Sequence, residues 1–176
     1  MASPISQLNI QALPDFLQSD RFVLKFGQIP IYGDSFNALT LKCVDVVLPG
    51  QGNERFEVAL QGFVRNFRGR KTYQRVFTAT LAETVDASAL TALWTWGEAV
   101  VGTNSGNSLG YNSQYSVLCE IDVFDTTGAL STSAQTVRTF PIDVVDTQFA
   151  GQNTGPVNLQ VQFAYDYVKY RGVALL

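Results

Sequence analysis

Val117-Leu118-Cys119-Glu120-Ile121-Asp122-Val123 carries the pattern that decides the fold. Apolar side chains fall at Val117, Cys119, Ile121 and Val123, and the carboxylates Glu120 and Asp122 alternate with them. Successive side chains of a strand point to opposite faces, so this segment reads as a strand with one face in a core. The strand spans residues 114–125 and runs into Asp125-Thr126-Thr127-Gly128, a turn. Downstream, residues 135–147 read as a strand interrupted at Pro141. Residues 157–167 read as one closing strand, with Leu159, Val161, Phe163, Tyr165 and Tyr167 on one face and Gln160, Gln162 and Asp166 on the other.

The same alternation recurs upstream. Residues 21–27 place Phe22, Leu24 and Phe26 on one face, and residues 39–47 form a strand stopped by Pro49 and Gly50. In residues 54–68, Phe56, Val58 and Leu60 alternate, Gly62 reads as a kink, and Phe63 to Phe67 resume the strand. Gly69 to Thr72 reads as the turn that sends residues 73–82 back. The one helix is expected over residues 87–101, within a segment 86–102 bounded by Asp86 as N-cap and Gly102 as stop. Ala89, Leu90, Leu93, Trp94, Trp96, Gly97, Val100 and Val101 fall within an arc of roughly 160°, so both tryptophans are expected in a core against a sheet. Residues 1–20 read as an extended arm, and residues 27–37 and 102–114 as loops. The expectation is a single domain over residues 1–176, mainly β with one α-helix, sandwich- or barrel-like.

Composition narrows the chemistry. A chain of 176 residues, 46% hydrophobic, buries a core without staples. It contains no histidine, which removes the commonest general base and metal ligand and every Ser-His or Cys-His nucleophile pair. Cys43 and Cys119 make no disulfide framework and read as small strand hydrophobes. Met1-Ala2-Ser3-Pro4 shows no basic region before an apolar run, and no stretch reaches membrane-span length. The expectation is a non-enzymatic protein that folds in a reducing cytoplasm and holds no cofactor and no metal.

Few clusters compete with that reading. Gly50-Gln51-Gly52 lacks the third glycine of a dinucleotide fingerprint, and Glu120, Asp122 and Asp125 miss the calcium-loop spacing. Asp143 and Asp146 have the spacing of an acid–base pair, one common by chance. Residues 1–75 carry nine Lys/Arg and six Asp/Glu, whereas residues 76–176 carry three and nine. The positive charge concentrates at Arg65, Arg68, Arg70, Lys71 and Arg75, with Phe63, Phe67 and Tyr73 interleaved. Such a cluster serves nucleic-acid binding or docking on a neighbouring subunit. Docking is favoured, because the cluster is short and local in a chain of pI near 4.8.

In order and spacing, these motifs resemble the tail tube proteins of contractile-tailed bacteriophages. The resemblance rests on Leu41-Lys42-Cys43-Val44-Asp45-Val46-Val47-Leu48-Pro49, the run from Gly69 to Thr80, Trp94 and Trp96, Tyr111 and Tyr115, Phe140-Pro141 with Val144, and Phe163-Ala164-Tyr165-Asp166-Tyr167. It covers residues 20–170, with departures at Thr139 and Thr147-Gln148. It implies hexameric rings stacked into a hollow tube, each subunit adding strands to a continuous inner β-barrel. Ring closure would remove sheet edges that otherwise aggregate. It also implies a basic inter-ring loop at residues 65–75, with Arg65, Arg68, Arg70, Lys71 and Arg75 as inter-subunit contacts. An anionic lumen would let double-stranded DNA slide without phosphate contacts, and Asp45, Glu120 and Asp122 are its candidate lining. The partners implied are further copies of the chain, a sheath protein, a baseplate initiator, a tape measure and a tail terminator. The implied location is the virion tail, after assembly in the host bacterial cytoplasm. Alternatives are a tube subunit of a related contractile injection system (a bacteriocin, an extracellular injection particle or type VI secretion) and, from another class, an all-β carbohydrate-binding module. A carboxylate glycosidase is a third.

Overall fold

The computed structural model describes residues 20–28, 39, 42–100, 112–144 and 157–172. The expected arm, the loops after Gly27 and Val100, and Asp146 lie wholly or largely outside these residues. The described strands are β1 (Phe22–Phe26), β2 (Cys43–Val46), β3 (Gln51–Leu60), β4 (Phe63–Tyr73), β5 (Val76–Ala82), β6 (Val117–Phe124), β7 (Leu130–Val144), β8 (Asn158–Ala164) and β9 (Tyr167–Gly172). Helix α1 (Ser88–Val100) and the single turn α2 (Asn112–Tyr115) lie between β5 and β6.

The strands form an open antiparallel sheet in the order β1-β6-β7-β8-β5-β2, with β9 also on β7. The long strand β7 serves two wings. Its first part pairs with β6 and β9 as far as Val137↔Tyr167, and its second part pairs with β8 from Phe140↔Ala164 onward. Between them Arg138 adopts φ 57°, which turns the strand from one wing to the other. The first wing is therefore β1, β6, β7 and β9, and the second is β7, β8, β5 and β2. Their inner faces form one core: Leu24, Cys119, Ile121, Ala134 and Val168 from the first, and Phe77, Ala79, Leu81, Leu159, Val161 and Phe163 from the second. The two wings are the layers of a β-sandwich, and among the described residues the sheet does not close into a barrel.

Helix α1 adds Ala89, Leu93 and Trp96 to this core. The Trp96 ring meets Phe26 edge-on at 5.7 Å between centroids, and its indole N–H donates to the Tyr115 carbonyl at 2.7 Å. Burial of a tryptophan thus comes with a partner for its one polar atom. Trp94 corrects the sequence expectation. It lies two residues, or about 200°, from Trp96 around the helix and is 61% exposed. The N-cap also differs: the helix N–H groups of Ala89 and Leu90 are met by the Glu83 carboxylate, not by Asp86.

Three strand boundaries depart from the pattern reading. The strand expected over residues 39–47 begins only at Cys43, and its register with β5 slips between Cys43 and Asp45. The strand expected from residue 135 begins at Leu130, and Pro141 shifts its register without ending it. The single closing strand is two, because Tyr165 and Asp166 donate their N–H groups to Arg75 and Val137 and hand the chain from the second wing to the first. Tyr165 is buried, whereas Tyr167 has crossed to an exposed position.

Strands β3 and β4 form a separate hairpin that prolongs the β2–β5 pair outward, and nearly all of it is exposed. Its turn is Gln61-Gly62, both at positive φ (43° and 87°), the type I′ geometry that suits the twist of a two-residue hairpin. Residues Gly69 to Thr72 are therefore not the turn but part of β4. Gly69 lies where the ladder bulges opposite Glu54, and a Cβ there would come within 2.9 Å of the Glu54 Cβ. Glycine is needed at that point for close approach of two backbones, not for chain reversal.

Candidate assembly surfaces

The carboxylates nominated for a channel separate onto two sides of the sandwich. Glu120 and Asp122 lie on the outer face of the first wing, opposite core residues Cys119 and Ile121. Asp45 lies on β2, opposite Thr80, on the outer face of the second wing. The three do not share one surface.

On the first wing the acids are already engaged. Lys25 Nζ is 2.6 Å from Asp122 Oδ2, and Gln135 Nε2 donates to Glu120 at 2.7 Å. Asp122 is 6% exposed. Burial alone would raise its carboxyl, but hydrogen bonds from Lys25 and Ser133 and the Lys25 charge outweigh it and hold the group below the usual carboxylate range. Across the ladder Lys169 stands opposite Gln135, and Arg171 opposite Ser133. This face thus carries Lys25, Lys169 and Arg171 against two carboxylates.

The second wing presents a different surface. Thr80 stands between Asp45 and Gln160, and Gln162 between Thr78 and Asp143. Asp45, Asp143 and Gln160 are exposed, and no Lys or Arg lies within β2, β5, β8 or the second part of β7. Beside the exposed bulge residues Val44 and Ile142, the wing presents hydroxyls and amides with two unneutralised carboxylates.

The basic cluster lies along the hairpin. Arg65, Arg68, Arg70 and Lys71 belong to β4, and Arg75 to the link before β5. Cross-strand pairs put Phe56 on Phe67, stacked at 5.4 Å between centroids, and Val58 on Arg65. Phe63, at the turn, is 78% exposed. Arg55 faces Arg68 directly, an unfavourable like-charge pair. Arg55 reaches Glu57 at 3.5 Å. Among the described residues no carboxylate lies within ion-pair distance of Arg65, Arg68, Arg70 or Lys71. An exposed hairpin with stacked phenylalanines and uncompensated cations has the makeup of a contact surface.

No group of three His, Cys, Asp or Glu that could hold a metal occurs among the described residues, and no helix among them is long and apolar enough to cross a membrane. Burial pushes the Cys43 thiol up to about 12 and the Cys119 thiol higher still, so neither is a ready nucleophile at neutral pH. The sequence pattern missed the site where Glu83 and Lys42 hold the helix to the second wing. It also missed the hairpin turn, although Gln61-Gly62 between two alternating apolar runs was its available signal.

Exposed sheet edges and a projecting cationic hairpin are surfaces suited to contact with other chains. A profile of the phage tail tube protein family matches residues 10–171, and the chain belongs to that family. No curated protein matches it closely enough to add to this. Among solved structures, the tube-terminating cap of the anti-feeding prophage superposes with a TM-score of 0.66 at 13% identity, covering 92% of this chain and 95% of its own. A chain of the sheath–tube complex of the extracellular contractile injection system PVC superposes at 0.63 and 13% identity, covering 96% and 99%. A chain of that system's sheath/tube terminator gives 0.64 at 14% identity, covering 92% and 100%. At these identities the likeness establishes a shared fold.

Proposed function

We propose that this protein is the repeating subunit of a contractile tail tube, in which hexameric rings stack around a channel that conducts double-stranded DNA. The observation that carries the reading is the contrast between the two outer faces. Phosphate slides past a wall of hydroxyls, amides and carboxylates and is held by cations. The second wing is such a wall, and the first wing is not. The channel lining is therefore Asp45, Asp143, Thr78, Thr80, Gln160 and Gln162, repeated around the ring. In this reading Asp45 is on the channel, and Glu120 and Asp122, on the other wing, would face outward.

Among the described residues the second wing also ends in two unpaired edges, β2 and the later part of β7. Pairing one copy's β2 with the next copy's β7 would extend the sheet around the ring and leave no edge of this wing exposed. The hairpin leaves this wing at the end where β5 begins, so its basic residues reach toward the neighbouring ring. The outer wall then meets a sheath protein, and the ends of the tube meet a baseplate initiator, a tape measure and a terminator. The protein would assemble in the bacterial cytoplasm and reside in the virion tail. The likeness to injection-system tubes favours a second reading, in which the same channel passes a protein cargo. The genes beside this one distinguish the two.

The test is a side-chain-resolution reconstruction of the assembled protein. Six-fold rings with Asp45 and Asp143 on the channel are expected. Lys25 and Glu120 on the channel would overturn the assignment of the wall. A protein that stays monomeric at every concentration, alone and with its initiator, would overturn the tube itself.

A further inference from the structure

A groove of about 500 Å³ opens where the base of the hairpin meets β9. Lys71 and Tyr73 of β4 line one side, and Tyr167, Lys169 and Arg171 of β9 the other, with no acidic residue in the lining. Among the described residues, no carboxylate lies within ion-pair distance of Lys71, Lys169 or Arg171. Lys169 Nζ lies 5.6 Å from the centroid of the Tyr167 ring. Tyr170 donates its hydroxyl to the Pro49 carbonyl and ties β9 to the segment entering the hairpin, so the two walls hold a common position. Lys71, Lys169 and Arg171 in the lining raise the potential of the groove, with Glu120 and Asp122 two strands away from Lys169 and Arg171, and an anion entering it is attracted. The tyrosines add apolar ring surface beside the charge.

The complementary feature stands at the other end of the second wing. Strand β5 starts beside the hairpin base and ends at Ala82, on the order of 20 Å away at the usual rise of a strand. The turn that follows presents Val85, fully exposed, and Asp86, whose side chain is 68% exposed. Thr84 donates its hydroxyl to Asp86 Oδ1, and Lys42 Nζ lies 3.7 Å from the same oxygen, so the carboxylate is preset by its own chain and keeps an open side toward solvent. Groove and turn therefore lie at opposite ends of one ladder, the arrangement that a head-to-tail contact between copies requires.

We propose that the groove is the seat of the Val85-Asp86 turn of a second copy in the adjacent ring. The Asp86 carboxylate lies among Lys71, Lys169 and Arg171, and Val85 lies on the tyrosine rings. The inference rests on the tube reading and adds to it the residues that join one ring to the next.

The experiment is sedimentation velocity on the full chain in low and moderate salt, comparing wild type, the pair Lys169→Glu with Arg171→Glu, Asp86→Lys, and the three changes combined. Val85→Arg, at a fully exposed position, supplies a variant whose folding the change does not touch. Circular dichroism reports the fold of each. Association of the pair, of Asp86→Lys and of Val85→Arg is expected to weaken about tenfold or more, and the combined swap to recover to within about threefold of wild type. Unchanged association in the pair, or a swap no better than its parts, overturns the seat while wild-type assembly upholds the tube. Binding of a 20-base-pair duplex that disappears in the pair, with association intact, overturns it in favour of a nucleic-acid groove. Failure of wild type to associate under any condition removes both.

Discussion

Replacing Glu83 measures how firmly α1 is tied to the second wing. Its carboxylate accepts the N–H groups of Leu90 at 2.6 Å, Thr84 at 2.8 Å and Ala89 at 3.2 Å, and Lys42 Nζ lies 3.5 Å away. The side chain is 10% exposed, so solvent replaces little of this when it is removed. A hydrogen bond to a charged group contributes about 1.5–3 kcal/mol, and a helix cap about 0.5–2 kcal/mol. The bonds share one acceptor group and do not add fully. Lys42 keeps Thr84 Oγ1 at 2.5 Å and the Ser88 hydroxyl, which limits the cost of losing its carboxylate. Glu83→Ala is therefore expected to destabilise the subunit by about 3 kcal/mol, and Glu83→Gln, which retains one oxygen, by about half as much.

The same carboxylate fixes a pH dependence. Burial acts to raise the Glu83 carboxyl, but the three N–H donors and Lys42 outweigh it and hold the group below its usual value. A depressed folded value means stability that is complete above the unfolded carboxyl, near 4.3 for Glu, and is lost as pH falls through the folded value. Urea unfolding followed by far-UV circular dichroism at pH 7 should show the full gap between wild type and Glu83→Ala, and at about pH 3 a smaller one. A gap under about 0.5 kcal/mol at pH 7, or one equally large at low pH, would refute the capping role.

The two tryptophans should separate cleanly. Trp96→Ala empties a core position and is expected to cost about 3–5 kcal/mol, whereas Trp94→Ala should stay within about 1 kcal/mol of wild type by chemical denaturation. In hydrogen exchange, the β3 and β4 amides should exchange fast in the isolated subunit and become protected on assembly, because a two-stranded hairpin alone is marginal in water. Slow exchange already present in the subunit would place their support inside one chain.

Where burial is one-sided, the fold was legible from residue types. Strand β6 and the outer parts of β5 and β8 alternate because only one face meets the core, and period 2 records that directly. The helix was legible for a similar reason, but its apolar arc was wider than its buried stripe, so Trp94 was drawn into a core it does not enter. Glycine was the weakest guide. Gly62 and Gly69 look alike in a sequence, yet one reverses the chain and the other allows two backbones to touch. Pairing across the sheet decides which. The channel candidates failed to group for another reason. Period 2 tells which residues of one strand share a face, but not which face of the sandwich another strand's carboxylate joins. Asp45 and Glu120 both oppose core residues and still point to opposite sides, because β2 and β6 belong to different wings.

The charge distribution follows from the same architecture. The positive excess of the first 75 residues belongs largely to β4 and its partner, where Arg55 faces Arg68 across the ladder. Within one chain that pairing is unfavourable, so packing inside the subunit does not account for it. Its effect on a free subunit is protective. Charged side chains along an exposed two-stranded ribbon discourage further strands from adding to its edges, although Phe56, Phe63 and Phe67 offer apolar surface. The bulge at Val44 does the same for the short edge β2. A partner that supplies carboxylates at the right positions removes the repulsion and covers the phenylalanines in one step, whereas an arbitrary sheet edge does neither. The hairpin's charges thus guard it against indiscriminate pairing and leave it open to a neighbour that would supply carboxylates.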